Sequence, residues 1–406
     1  MLKRIYLDNH ATTPIDPRVM SKMLPFFDVS YGNPSSIHLF GIEALNAIDK
    51  ARAVISKVIG SEKDEIVFTS GATEANNFAI RGIIEGLKRK HGNQPLHIIS
   101  SVTEHKCVLN AIKRIQAEGV EITFLPVDSC GAINLQLLKK EIKPNTVLVS
   151  LMFANNEIGT INDIMEIGSI CRSKNIIFHT DIAQALGKIH INLKNLPIDL
   201  ASFSAHKLYG PKGVGFLYIK QELKKTMTPL LDGGGQEYNL RSGTLNVPGI
   251  VGMSECVRLG AENFKEDIRK YLKLRYVLYS RLSSQLNNIV LNGPDITPGE
   301  EFFLEHADVE QLSKTLKRLP NNLNITFSGI DLSRLLPRIS HIAVSTGSAC
   351  SSNSVQPSYV LCAIGLSDQD AGSSIRFGIG RFNTEEEMIA VADSIVEAVH
   401  LLRKNV

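Results

Sequence analysis

Between residues 64 and 220 short β-branched runs alternate with segments of helical period. The runs span 66–69, 97–100, 122–125, 146–151, 176–179, 200–203 and 214–218. Between most of them lie amphipathic stretches, such as 108–118 and 161–173, with apolar residues at three- and four-residue spacing. Strands joined through helices return to the same end of a sheet and so lie parallel. The runs are near-continuously apolar, as strands covered on both faces must be. The expected fold class is therefore α/β: a mainly parallel seven-stranded sheet with helices on both faces. The last two runs are joined by only a short loop, which leaves the final strand free to run antiparallel.

After Gly249 the pattern changes. Residues 250 to about 288 read as one or two long charged helices, followed by short strands and helices of a smaller α+β C-terminal domain. A chain of 406 residues is long enough for two domains. The expected division is an N-terminal segment 1–15 that packs with either domain, a large domain 16–255 and a small domain 256–406. With 44 basic against 41 acidic residues the net charge is only +3, which argues against a direct nucleic-acid binder or an anionic membrane surface as partner. No leader-like apolar stretch follows Met1, and no apolar run is long enough to span a bilayer, so the expected location is cytoplasmic. None of the six cysteines forms a C-x-x-C pair, so neither a zinc site nor a disulfide framework is expected.

In an open α/β sheet, ligands bind beyond the carboxyl ends of the strands. Five polar clusters fall there. Thr69-Ser70-Gly71-Ala72-Thr73-Glu74 follows the first run and opens a helix, where unpaired N–H groups suit a phosphate. Read blandly, the same residues are an ordinary helix cap. Thr103-Glu104-His105-Lys106 brings a histidine, Asn155-Asn156-Glu157 two asparagines, and Asp181 with Gln184 an acid and an amide. Ser204-Ala205-His206-Lys207 follows the sixth run and precedes Gly210-Pro211-Lys212-Gly213. A lysine where a buried strand breaks into a tight loop is a candidate Schiff-base amine, because burial lowers its pKa. A lysine for an aldehyde and an aspartate for a pyridinium nitrogen are the protein groups pyridoxal phosphate needs most.

Three further pieces lie outside the alternating region. A glycine-rich loop, Gly233-Gly234-Gly235, leads to Arg241-Ser242-Gly243-Thr244. Arg376, in Ser374-Ile375-Arg376-Phe377, suits bidentate capture of a carboxylate, or else a plain surface ion pair. Cys350, in Gly347-Ser348-Ala349-Cys350-Ser351-Ser352, has small neighbours and little packing value, which suits a travelling nucleophile. Cys362 fits a buried helix face and is expected to be inert.

On these residues the chain resembles the class V aminotransferase-like enzymes of pyridoxal phosphate fold type I. More narrowly it resembles the cysteine desulfurases of the NifS/IscS type. The match runs from Tyr6-Leu7-Asp8-Asn9-His10-Ala11-Thr12-Thr13-Pro14 through Gly32-Asn33-Pro34-Ser35-Ser36 to Ile375-Arg376-Phe377 and Gly380-Arg381-Phe382.

The resemblance implies roles. Lys207 holds the cofactor, pyridoxal 5'-phosphate. Asp181 pairs with its ring nitrogen and Gln184 with its phenolic oxygen. Asn156 lies near that oxygen and the substrate, and His105 stacks on the ring. Ala72, Thr73, Ser204 and His206 cradle the phosphate, and Thr244 reaches it from the other subunit of a homodimer. Arg376 binds the carboxylate of L-cysteine. Cys350 takes the sulfur as a persulfide while alanine leaves; a transient iron–sulfur contact at Cys350 is the one metal role implied. The sulfur would go to an acceptor or scaffold protein for iron–sulfur clusters or thiolated tRNA. Selenocysteine lysis, transamination and a non-catalytic subunit of a sulfur-transfer complex are the competing readings. Two departures stand out: residues 297–322 are longer than the family's corresponding region, and the sequence stops at Val406 without the C-terminal extension that IscS-type enzymes use to engage a scaffold.

Overall fold

The computed structural model describes residues 3–92, 94–296, 315–346 and 357–404. Cys350 and residues 297–314 lie outside them. The N-terminal strand is β1 (Ile5–Tyr6). All seven expected strands are present: β2 (Ile66–Thr69), β3 (His97–Ser101), β4 (Glu121–Leu125), β5 (Thr146–Ser150), β6 (Ile177–Asp181), β7 (Leu200–Ser204) and β8 (Gly215–Ile219). They form one sheet in the order β2-β8-β7-β6-β5-β3-β4. Pairings between β4 and β7 are parallel, while β8 runs against both β7 and β2. The reversal has the cause read from the sequence: the link from β7 to β8 holds no crossover helix, so the chain turns straight back.

Alternate side chains of this sheet feed two apolar layers. Phe178, Ala201, Phe203 and Phe216 pack into one, which also buries the helix Leu39–Ile59. Ile98, Leu148, Leu200 and Leu217 pack into the other, with Ile112 and Ile115 of the helix Lys106–Ala117. β4, at the edge, is the least buried strand. The order reverses between β3 and β5, with β4 lying to one side and β6 and β7 to the other. That reversal opens a crevice at the carboxyl ends of β3 and β5.

The expected helical stretch forms two helices, Val247–Glu262, which starts just before Gly249, and Phe264–Gln285, parted at Asn263. The first packs on the helix Leu39–Ile59 and the second on Glu385–Lys404. The four-stranded antiparallel sheet that follows joins β9 (Ile289–Leu291), β10 (Asn322–Phe327), β12 (Ser345–Thr346) and β13 (Ser374–Gly378), in the order β12-β13-β10-β9. Ile5 and Leu7 insert into its core, and β1 pairs in parallel with β11 (Ile342–Ala343). A few residues on, the same segment reaches the large sheet: Thr13 N–H donates to His206 O at 2.8 Å. The N-terminal segment thus ties the two cores together, with Asp8 to Thr12 between them.

Candidate active site

Lys207 ends a 3-10 turn, Ala205–Lys207, directly after β7. Two residues on, Tyr209 holds a left-handed backbone, φ 61°, a conformation that costs a non-glycine residue about 1–3 kcal/mol unless its surroundings impose it. Here they do. Tyr209 N–H donates to Thr13 Oγ1 at 2.8 Å, and its hydroxyl accepts from Arg381 N–H at 2.5 Å. Gly215 opens β8 between the end of β7 and the Gly71 turn. A Cβ there would lie 2.3 Å from Phe203 O and 2.7 Å from Gly71 Cα, so only glycine lets β8 pass.

The half-buried Lys207 faces a cavity of about 530 Å³, lined also by Thr12, Ala72, Thr73, His105, Cys107, Met152, Asn156, Asp181, Gln184, Ser204, His206 and Lys212. Burial lowers the Lys207 pKa; Asp181 opposes this and Arg376 reinforces it. Behind it, the buried Lys188 donates from Nζ to Lys207 O at 3.1 Å.

Asp181 closes β6. Its Oδ2 accepts from Asn76 Nδ2 and its Oδ1 from Ala183 N–H, both at 2.8 Å, which fixes the carboxylate plane. Asn76 Oδ1 is buried with no partner among the described residues. Gln184 donates from Nε2 to His10 O at 3.0 Å, and its Oε1 lies 3.0 Å from His10 Nδ1. Of the asparagine pair, Asn155 builds the turn, with Oδ1 accepting from Glu157 N–H and Ile158 N–H. Asn156 is left to line the cavity.

His105 caps the helix Lys106–Ala117. Its Nδ1 accepts from Cys107 N–H at 3.2 Å and lies 3.0 Å from Cys107 Sγ. An accepting Nδ1 carries no proton, so the neutral ring is protonated at Nε2. Burial and the Lys207 charge hold its pKa below the usual value, with Asp181 opposing. His206, which also lines the cavity, is pushed down to about 4 by burial and the neighbouring lysines 207, 212 and 188. Burial pushes the Cys107 thiol up to about 12, so it stays protonated and can donate to His105.

The helix Ala72–Asn77 starts at Gly71, which supplies no side-chain cap, so its first N–H groups remain open to an anion. Glu74 bonds instead to Ser70 N–H at 2.8 Å and to Arg241 Nε at 2.8 Å. The expected side-chain helix cap is thus absent: Glu74 steadies the preceding loop through Ser70, and the first amides of the helix carry no side-chain partner.

Arg376, on β13, does not line the cavity but stands behind Asn156. It donates from Nη1 to Asn156 O at 3.0 Å and from Nη2 to Asp8 Oδ1 at 2.8 Å, while its buried Nε has no partner among the described residues. This ion pair is largely buried, not a surface one. Thr244 is exposed and lies outside the cavity of its own chain. Cys350 lies outside the described residues. Cys362 corrects the sequence reading: it is half-buried, with Sγ 3.6 Å from Asp368 Oδ1, because the short helix Tyr359–Ala363 turns Val360 and Leu361 inward and leaves Cys362 on its flank. Sequence reasoning missed Thr12, Asn76, Cys107, Met152 and Lys212. Cys107 and Lys212 adjoin strand-end clusters in the sequence, but that adjacency alone does not say that their side chains face the cavity.

No helix among the described residues is long and apolar enough to cross a membrane. Residues 5–391 match the family model for aminotransferase class V. The chain is 46% identical over 403 residues to the cysteine desulfurase IscS of Rickettsia prowazekii (strain Madrid E), covering 98% of this chain and 92% of that one. The match to the cysteine desulfurase IscS of Rickettsia bellii (strain OSU 85-389) is 45% over 400 residues, with the same coverage. Among solved structures it is similar to a NifS-like protein, with TM-score 0.86 and 37% identity over 98% of this chain and 100% of that one. It is also similar to SspA in complex with cysteine, with TM-score 0.77 and 34% identity over 94% of this chain and 100% of that one.

Proposed function

The chain belongs to the aminotransferase class-V family, and on that premise we propose how its residues divide the work of desulfurating L-cysteine. Its activity is that of a pyridoxal phosphate-dependent cysteine desulfurase. The cavity fits the cofactor. Its lining offers the open amides of Ala72 and Thr73 with Ser204 and His206 for a phosphate, and the fixed carboxylate of Asp181 for a ring N–H. Gln184 has a second Nε2 proton for the phenolic oxygen, and Lys207 stands where an amine can hold the aldehyde carbon. When bound, the cofactor supplies an electron-withdrawing ring that makes the substrate's Cα–H acidic.

Lys207, its pKa lowered, would take and return the substrate's α-proton at its Nζ. His105, neutral and protonated at Nε2, lines the cavity where it would pack against the cofactor ring, and its Nε2 would supply a proton near the thiol. Asn156, in the cavity wall, lies toward the substrate carboxylate, and Arg376, held behind it, would turn a guanidinium N–H to that carboxylate once substrate enters. The Cys350 thiolate attacks the substrate sulfur: an S–S bond forms as the C–S bond breaks, the bonding pair goes to the substrate carbon, and protonation there yields alanine. L-Cysteine and one thiol thus become L-alanine and one persulfide.

In this reading residues 16–255 carry the cofactor and residues 256–406 carry the Cys350 loop. A homodimer places Thr244 in its partner's phosphate site. Its exposure supports this, as does the apolar surface of Phe27, Val29, Tyr31, Ile37, Leu39 and Phe40 on the same chain, where Ile37 is 95% exposed. The persulfide sulfur passes to an acceptor or scaffold protein in the cytoplasm for iron–sulfur cluster assembly, with tRNA thiolation a second destination.

The observation that carries the proposal is the convergence of Lys207, Asp181, Gln184 and His105 on one cavity from three strand ends. Purified protein should release alanine and, under reducing conditions, sulfide from L-cysteine in equal amounts, and Lys207→Ala should release neither. Alanine formation by that variant at the wild-type rate would overturn the assignment.

A further inference from the structure

His10 is 1% exposed and lies between the two cores. Gln184 Nε2 donates to the His10 main-chain oxygen, which fixes the amide orientation: its oxygen, Oε1, must be the atom 3.0 Å from His10 Nδ1. An amide oxygen only accepts, so Nδ1 carries the ring proton and Nε2 is bare. The far side of the ring agrees, since Asn322 Nδ2 approaches His10 Nε2 at 3.2 Å as a donor. Asn322 begins β10 and is itself held by Arg318, whose Nη1 donates to Asn322 Oδ1 at 3.0 Å. A buried chain therefore runs from Arg318 through Asn322 and His10 to Gln184.

We propose that His10 is a positioning residue that grips the Gln184 amide from both ends and aims its remaining Nε2 proton at the cofactor's phenolic oxygen. The inference rests on the role given to Gln184 above. Without the His10 donor, Oε1 would be buried and unsatisfied, and the amide could relieve this by rotating, which would present an acceptor where a donor is needed. Burial, with the charges of Arg376, Lys188 and Lys207, holds the His10 pKa well below the usual value, so the ring keeps one proton and one orientation. The link to Asn322 sets the ring from the small-domain side, so the small sheet helps to orient a group in the cofactor pocket.

Asparagine and leucine are nearly the same size, and neither reaches Asn322 as the ring does. In His10→Asn the new side-chain amide can still donate to Gln184 Oε1. In His10→Leu no donor remains, so the two variants differ mainly in that bond. The readout is the pH midpoint of the visible absorption band of the holoenzyme. A hydrogen bond to the ionised phenolic oxygen favours the ionised form, so its loss moves the midpoint upward. His10→Leu and Gln184→Ala should each raise it by at least about half a pH unit, and His10→Asn should restore most of the shift. If Gln184→Ala shifts the midpoint and His10→Leu leaves it unchanged, the positioning role is overturned while the reading of Gln184 stands. If Gln184→Ala itself leaves it unchanged, that reading fails and the inference with it. Equal shifts in His10→Asn and His10→Leu would assign the effect to packing and also overturn the proposal. Should the leucine variant not fold, His10→Ala carries the same comparison.

Discussion

Arg376 on β13 grips Asp8 of the N-terminal segment, Nη2 to Oδ1 at 2.8 Å, across 368 positions of chain. With Nη1 on Asn156 O, the guanidinium is held on two sides behind the cavity, and its Nε has no partner among the described residues. Lysine could keep the Asp8 contact but not a second, parallel bond to a carboxylate. Arg376→Lys should therefore raise the KM for L-cysteine about ten- to a hundredfold, the equivalent of one charge-assisted bond, with the cofactor absorption band intact. Steady-state kinetics with spectra of the same preparation check this, and an unchanged KM contradicts it.

Two cysteines compete for the sulfur-accepting role. Cys107 lines the cavity, but burial holds its thiol protonated near pH 7, and its Sγ lies against His105 and Asn76. Cys107→Ala should keep sulfide release within about threefold of wild type, because the His105 Nδ1 contact with the residue-107 N–H survives the change. Cys350→Ala should keep the cofactor and release no sulfide. Mass spectrometry after brief exposure to L-cysteine should find the added sulfur on Cys350. Added sulfur on Cys107 alone would reverse the assignment.

Lys188 predicts a pH dependence of stability. Burial first, then the charges of Lys207 and Arg381, bring its pKa from 10.5 down to about 7, with Asp267 opposing. Between those two values the unfolded chain binds a proton that the folded chain does not, so stability rises with pH across the window. Below about pH 7 both states hold the proton and the full cost of the buried charge remains. In Lys188→Met this slope should be absent. Relative to wild type the variant gains most below pH 7 and loses that gain toward pH 10.5, offset throughout by the missing bond to Lys207 O. Thermal unfolding of both proteins from pH 6 to pH 10 measures the difference, and parallel curves would exclude the effect.

The loop that carries Thr244 is anchored by a buried pair. Glu237 accepts from Arg52 Nη2 at 2.6 Å and from Phe68 N–H at 2.7 Å, and it opens a run of three left-handed residues with Tyr238 and Asn239. Removing one partner strands the other charge, which costs about 3–5 kcal/mol. Arg52→Met should lose about that much in denaturant unfolding. The double variant Arg52→Met with Glu237→Gln should lose less than the two single changes added together. Simple additivity would mean the pair is not coupled.

Much of this was legible in the sequence, because it is local. The β-branched runs became β2 to β8, since four to six apolar residues buried on both faces are a strand signal that needs no partner to read. The reversal of β8 followed from a loop too short for a crossover. Lys207, Asp181, Gln184, His105 and Asn156 share the cavity because each sits just beyond or at the end of a strand, and strands of one parallel sheet end on one side. Less was legible where a group depends on something distant. Asn76 reads as an ordinary polar helix residue until β6 brings Asp181 to it, and Cys107 reads as packing until its helix aims it at the cavity.

The sequence by itself determined the layered α/β sheet, the end of it that binds and the chemistry of the groups there, because strand and helix periods and strand-end residues are properties of short stretches. Only the tertiary structure decided that Asp8 and His10 stand behind the site, each against a residue placed there from the sequence. They reach Arg376 and Gln184 across 368 and 174 positions because Ile5 and Leu7 bury themselves in the small core while Thr13 bonds to the large one. That placement is set by where apolar surface can be buried, which no local pattern of residues encodes.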